Sequence, residues 1–389
     1  MAFPGGRKAI FIRLFEDTMT IHSPAHRRTA FTLIELLVVI AIIIILASLT
    51  LVVVSRIWQR VEVQRTTVEI SKLSEACEQF KSTFGRYPRA RILLVEGNGS
   101  LGSGYGPYLA SGVPGVAQLA AESVEYLQAI FPGIVLDGSF IHDWNGNGVS
   151  NEFFLLEGEE ALVFWLGGMR YGTINFADPV NGLANRSAAL GFNTNKQTPT
   201  VNSTGTRLGP FYEGFTADRM MYTYFNPALN GLPRWNADPA AGPAGPSGQL
   251  NSRGWFPCYT DRYGMPFIYF SAVNGSQNNY RNSFNPDPGN GIPASVPAWL
   301  PAAVAPYLYD CAIITGNFTP YWQAGTASGV SGQSNIQFYK PDRYQIISAG
   351  RDRTLGSGGR YDPRNPEQYL TNPADHDNIT NISEGRLVP

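Results

Sequence analysis

Charge is scarce in this 389-residue chain. Asp, Glu, Lys and Arg make up only 15% of it, with 29 basic against 30 acidic residues. With no basic excess, nothing marks a nucleic acid as a partner. Cysteine is also nearly missing. Cys77, Cys258 and Cys311 are the three present, and no CxxC pair occurs, which argues against a cysteine zinc site or a thioredoxin-type redox motif. If the C-terminal part is exported, Cys258 and Cys311 could form a disulfide, which would leave Cys77 free in a helix; separation along the chain does not decide the geometry. Histidine is limited to His22, His26, His142 and His376, and neither HExxH nor GxSxG occurs. No helical segment carries paired carboxylates, and His142 beside Asp143 reads as a turn neighbour, not a base, so catalysis has little support.

What is abundant is glycine (41), proline (28) and aromatic residues (12%). That mix describes a loop-rich fold of short strands. The exception is the N-terminal region. Residues 1–30 carry Arg7, Lys8, Arg13, Arg27 and Arg28 against Glu16 and Asp17, a net charge of +3. Residues 36–54 then run for 19 residues without a charge, up to Arg56. As a helix this run covers about 28 Å, close to the hydrocarbon thickness of a bilayer. Arg27 and Arg28, just before it, place the N-terminus on the cytoplasmic side and the bulk of the chain on the other. The run is too long for a secretory signal, and no A-x-A site closes it. A plain signal anchor would explain all of this except Glu35, a carboxylate just inside the apolar run. Such a group costs about 2.5–3.5 kcal/mol at the bilayer centre and less near an end, and it calls for a cationic partner.

The stretch Arg28-Thr29-Ala30-Phe31-Thr32-Leu33-Ile34-Glu35-Leu36-Leu37-Val38-Val39-Ile40 closely resembles the prepilin-type cleavage and methylation motif of type IV pilins and type II secretion pseudopilins. The resemblance implies a cut between Ala30 and Phe31 by a membrane prepilin peptidase and N-methylation of Phe31. It further implies that Glu35, fifth residue of the mature chain, pairs with the N-terminal amine of a neighbouring subunit. Ala30 stands where the family usually has Gly, and slower cutting is the expected consequence. The partners so implied are the prepilin peptidase, other pilin or pseudopilin subunits, the inner-membrane assembly platform and the lipid bilayer. The head would lie in the periplasm or outside the cell.

The helix is expected to continue past the membrane. Ile70, Leu73, Cys77, Phe80 and Phe84 recur at spacings of 3, 4, 3 and 4, an amphipathic stripe, and Gly85 and Pro88 close it. From Phe31 to Phe84 such a helix is about 80 Å long. Phe84-Gly85-Arg86-Tyr87-Pro88 resembles the Gly-x-Tyr-Pro stretch that follows the stem helix of major pseudopilins. Beyond it, strands are expected at Ile92–Val95, Met220–Phe225, 267–273, 309–315 and Tyr344–Ser348, and helices at 118–130 and 159–166, the latter capped by Gly167. Residues 238–248 and 286–306 read as surface loops or linkers. Residues 97–102 fit GxGxxG, but Gly104-Tyr105-Gly106-Pro107 breaks the helix a dinucleotide site needs.

A second resemblance lies in the last third. Asp261-Arg262-Tyr263-Gly264-Met265-Pro266-Phe267-Ile268-Tyr269 is similar to the Asp-x-Trp-Gly-x-Pro-Tyr-x-Tyr strand of major pseudopilins, and Tyr344-Gln345-Ile346-Ile347-Ser348-Ala349-Gly350-Arg351-Asp352 to their later strand and its Ser-x-Gly-x-Asp turn. The implied fold is α+β: a long N-terminal membrane and stem helix packed on a β-rich, pilin-like head with large insertions. The implied parts are a leader (1–30), the helix (31–88), an inserted region (89–250) and a pseudopilin-like β region (251–389). The family binds calcium in the loop after that turn, and Asp352, Asp375, Asp377 and Asn378 supply the oxygens here; a solvated polar tail is the alternative. Separately, Asp143, Asn145 and Asn147 with Gly148 have the spacing that opens a calcium loop, but position 12 is Phe154 in place of Glu, so an Asx/Gly turn is the competing reading. Calcium is the one cofactor these readings admit. They make the chain a structural subunit of a pilus or pseudopilus, with a minor pilin or a pilin-anchored binding module as the rival.

Overall fold

A computed structural model describes residues 32–96, 104–110, 114–144, 153–156, 158–169, 190–200, 206–225, 233–236, 256–272, 318–324 and 337–388. The chain is a mixed α/β protein with an N-terminal helix and a sheet-containing body. It divides into two compact units, Met1–Ile57 and Trp58–Pro389.

Helix α1 (Leu33–Phe84) runs through the division. In the first unit its side chains from Leu33 to Leu46 are exposed, among them Leu33, Ile34, Ile44 and Ile45. Among the described residues no helix is long and apolar enough to cross a membrane. The charge-free run of the sequence, 36–54, extends past the side chains described in this unit, which stop at residue 48.

In the second unit the expected stripe is buried: Ile70, Leu73, Cys77, Phe80 and Phe84 are each at most 6% exposed. Phe80 and Phe84 pack into an aromatic core with Phe131, Trp165, Phe192 and Phe211 at centroid distances of 4.6–6.1 Å. Rings tilted or edge-on at such distances add to the gain from burial alone. Gly85, at φ +79°, ends the helix, and its amide donates to Lys81 O at 2.7 Å, the left-handed stop that glycine permits.

β1 (Ile92–Val95) pairs antiparallel with β2 (Phe153–Leu156). Between them α2 (Gly106–Leu109) is a single turn with Pro107 in its first positions. The stretch expected to break helices thus starts one, because proline's missing N–H is not needed in a first turn. α3 (Pro114–Ile130) begins four residues earlier than expected. α4 (Gly158–Gly167) takes in Gly167, and the residue at positive φ is Gly168, at +76°. The cap therefore falls one residue later than the sequence suggests.

The strands form small sheets. β3 (Phe192–Asn193) pairs with β4 (Arg207–Leu208). β5 (Met220–Phe225) lies between β6 (Pro233–Asn236) and β7 (Pro257–Tyr259), so this sheet takes strands from both sides of residue 250. β8 (Ile268–Ser271) is shorter than the expected 267–273. β9 (Thr319–Ala324), with β10 (Gln337–Phe338) antiparallel and β12 (Gly358–Arg360) parallel to it, forms a sheet the sequence did not announce. β11 (Tyr344–Ser348) pairs antiparallel with β8 in the register Tyr344 to Ser271 through Ile347 to Ile268. β13 (Ile379–Thr380) and β14 (Gly385–Arg386) complete that four-stranded sheet. The two segments that carry the second resemblance are thus neighbours in one sheet. The expected strand at 309–315, the GxGxxG stretch and the loops at 238–248 and 286–306 lie outside the described residues.

Candidate functional site

The start of α1 is a capping box. Glu35 N donates to Thr32 Oγ1 at 3.2 Å, while Thr32 N and Thr32 Oγ1 both donate to Glu35 Oε2 at 2.9 Å. Leu36 N donates to Thr32 O, closing the first turn. Thr followed three residues later by Glu is the sequence signature of this device, and it was readable in Thr32-Leu33-Ile34-Glu35. Ala30 and Phe31, between which the cut is expected, lie outside the described residues.

Farther along, Glu69 joins α1 to the sheet β6-β5-β7. Arg219 grips it with both terminal nitrogens (Nη2 to Oε2 at 2.8 Å), and the Tyr259 hydroxyl donates to Oε1 at 2.9 Å. The Arg219 guanidinium also lies 4.4 Å over the Tyr259 ring and donates to Thr260 O. The pair is nearly buried, with side chains 13% and 10% exposed. No local pattern could have found a contact between residues 150 positions apart.

Next to it lies the turn that the second resemblance picks out. Asp261 Oδ1 accepts from the amides of Tyr263 (2.8 Å) and Met265 (2.9 Å), and Oδ2 accepts from Ser348 Oγ at 2.6 Å. Gly264 supplies the φ of +85° that the turn requires. Asp261 is 2% exposed, and burial, outweighing these donors, pushes its carboxyl up to about 6.

The Ser348 hydroxyl also accepts from Gly350 N (3.2 Å), and the amides of Arg351 (2.7 Å) and Asp352 (3.0 Å) donate to Asp377 Oδ2. Two aspartates therefore hold the 348–352 turn, one from each side. The four C-terminal residues expected to bind a cation do not act alike. Asp375 is fully buried and engaged: Oδ1 accepts from Tyr321 (2.8 Å) and Gly358 N (3.0 Å), Oδ2 from Ser357 N (2.9 Å). Burial raises its carboxyl above the ordinary range. Asp377 Oδ1 and Asn378 Oδ1, by contrast, are buried without a hydrogen-bond partner among the described residues. Burial, with the neighbouring charges of Asp377 and Asp375, also raises Asp352. No three His, Cys, Asp or Glu side chains converge as metal ligands among the described residues.

Asp143 sits at the end of a segment in which Trp144 N donates to Glu96 Oε1 at 2.8 Å and His142 N to Glu96 O at 3.0 Å. Asn145 and Asn147 lie outside the described residues. Cys77 is buried as a free thiol, pushed well up by burial. Cys258 is buried in β7, and Cys311 lies outside the described residues.

Set against known proteins, residues 25–51 match the family model of the prokaryotic N-terminal methylation motif. The match spans the expected cleavage position, the capping box and most of the charge-free run, and it supports a type IV prepilin-like protein. The motif is that of pilin-type subunits, which are processed by prepilin peptidase and assemble with other pilin subunits. No curated protein and no solved structure matches the chain.

Proposed function

We infer that this chain is a structural subunit of a pilus or pseudopilus, of a kind close to type II secretion pseudopilins. The observation that carries the reading is the methylation motif leading directly into α1, a helix that is apolar at its start and buried in the body core at its end. In this reading prepilin peptidase cuts between Ala30 and Phe31, Phe31 is N-methylated, and residues 36–54 anchor the subunit as a single pass with the N-terminus cytoplasmic. Glu35 pairs with the amine of a neighbour during assembly. The pairing of β8 with β11 supports the pseudopilin side of the reading, because it joins the two segments that resemble that family. A minor pilin, or a pilin-anchored binding module using the inserted region 89–250, is the rival.

The C-terminal loop fits calcium in part. Asp377 Oδ1 and Asn378 Oδ1 are hard oxygens without donors among the described residues, beside a second carboxylate in Asp352; calcium takes such ligands together with main-chain carbonyls. Asp375 is spent on Tyr321, Ser357 and Gly358 and would support the loop without touching the ion. When bound, the ion would neutralise the Asp352 and Asp377 charges and tie the 348–352 turn to the C-terminal loop.

Mass spectrometry of the N-terminus of the membrane-extracted protein tests the main reading. A chain that starts at N-methylated Phe31 supports it, and sedimentable fibres against sparse single copies then separate the major subunit from the rival. A chain that starts at Met1, or is cut after Val54, would sink it.

A further inference from the structure

We propose that the outer face of the sheet β10-β9-β12 is a binding platform for an acidic sugar, a uronic-acid unit of a polysaccharide, with Trp322 against the ring and Arg360 on the carboxylate. The inference goes beyond the subunit reading and does not depend on it. Neighbouring side chains of a strand point to opposite faces of the sheet. Tyr321 and Tyr361 are buried in the smaller core cluster, and the Tyr361 amide continues the ladder by donating to Trp322 O at 2.9 Å. Trp322, after Tyr321, and Arg360, before Tyr361, therefore lie on the face turned away from that cluster. They are register partners, and both are half-buried.

The surroundings of this pair leave it open to a ligand. Phe338, the partner of Trp322 on β10, stands edge-on to its ring at 6.3 Å. On the β12 side Gly359, at φ +104°, adds no side chain against the ring; a Cβ there would lie 3.4 Å from it. Arg360 lies 4.0 Å over the ring of half-buried Tyr369, a stack that orients its planar guanidinium. Among the described residues no carboxylate forms an ion pair with Arg360, and its Nε is buried without a hydrogen-bond partner. The apolar C–H face of a pyranose can pack on an indole ring, and an oriented guanidinium can donate two parallel bonds to one carboxylate. One cation in the site fits a sugar with one charge. A nucleic acid needs several cations for its phosphates, whereas residues 358–370 carry Arg360 and Arg364 against Asp362 and Glu367.

The test titrates tetragalacturonate, a neutral galactose tetrasaccharide and a thymidine tetranucleotide into detergent-solubilised full-length protein by isothermal calorimetry. Wild type is compared with Arg360→Gln and Trp322→Leu. The acidic sugar is expected to bind wild type about tenfold more tightly than the neutral one, the effect of one charge-assisted contact. Arg360→Gln should bring the acidic sugar down to the level of the neutral one, and Trp322→Leu should weaken both. Equal binding of the two sugars to wild type, no binding of either at millimolar concentration, or tighter binding of the nucleotide overturns the proposal. So does wild-type affinity for tetragalacturonate in either variant. Circular dichroism melts check that the variants keep the fold; if Trp322→Leu does not, the wild-type comparison and Arg360→Gln decide.

Discussion

Asp261 shows how one buried carboxyl can set the pH response of the body. Its pKa rises from 3.8 to about 6 because burial outweighs three hydrogen bonds and the charge of Arg219. A group whose folded pKa is raised contributes stability that is full below the unfolded value and is lost as pH rises through the folded one. For Asp261 that window is about pH 4–6, and at 1.36 kcal/mol per pKa unit the loss is about 3 kcal/mol. His142 works in the opposite direction. It is 1% exposed, and burial lowers its pKa, so its contribution is present above the ordinary histidine value and lost on acidification. Asp261→Asn removes the first effect and keeps an acceptor for the Tyr263 and Met265 amides. Chemical denaturation should find the Asp261→Asn variant at or below wild-type stability at about pH 4 and above it at about pH 7.5. Parallel stability curves for the two proteins would rule this account out. A second residue-scale expectation concerns Glu69 and Arg219. Removing one partner of a buried, hydrogen-bonded pair strands the other charge, at a cost of about 3–5 kcal/mol. Arg219→Ala should cost that much in guanidinium unfolding. A loss under about 1 kcal/mol would class the pair with exposed ones.

At the scale of elements, α1 carries two kinds of information along one helix. Its body half was legible because a stripe at spacings of 3 and 4 depends only on local period, and each residue of that stripe is buried. Phe80→Ala should therefore cost about 3–5 kcal/mol of body stability, whereas Lys72→Ala, on the exposed face, should change the same thermal melt little. A mild effect of Phe80→Ala would mean that the aromatic cluster can collapse around the missing ring. Strands with strong β-branched or aromatic runs, β5 and β11, were legible for the same local reason. β3, β10, β13 and β14 are two residues long and have no period to read; they exist because of what they pair with. β9 contains Pro320, which reads as a break, yet it stands between two partners. The candidate cation loop divides along the same line. The sequence offers Asp375 and Asp377 as equals, and only the fold, by sending Tyr321 from β9 onto Asp375 across 54 residues, gives one of them a structural task.

For the whole molecule, the question is what each unit needs in order to be stable. The body core contains residues of α1 from Ile70 to Phe84 together with α3, α4 and strands from both halves of the chain. A second, smaller cluster built on Ile268, Phe270, Phe318, Tyr321 and Ile347 stands on the C-terminal sheets. Both clusters belong to the unit Trp58–Pro389, so that unit holds its own core. The exposed apolar side chains of α1, from Leu33 to Leu46, belong to the other, and an uninterrupted apolar face of that kind is a site of association with lipid or with other helices. A chain that starts at Trp58 is therefore expected to be soluble without detergent and to melt within a few degrees of the detergent-extracted full-length protein, since among the described residues it gives up none of either core cluster. Circular dichroism melts of the two proteins check this. If the shortened chain unfolds early or aggregates, the apolar segment contributes to the body itself, and the separation of an assembling helix from a self-sufficient body, on which the subunit reading depends, is lost.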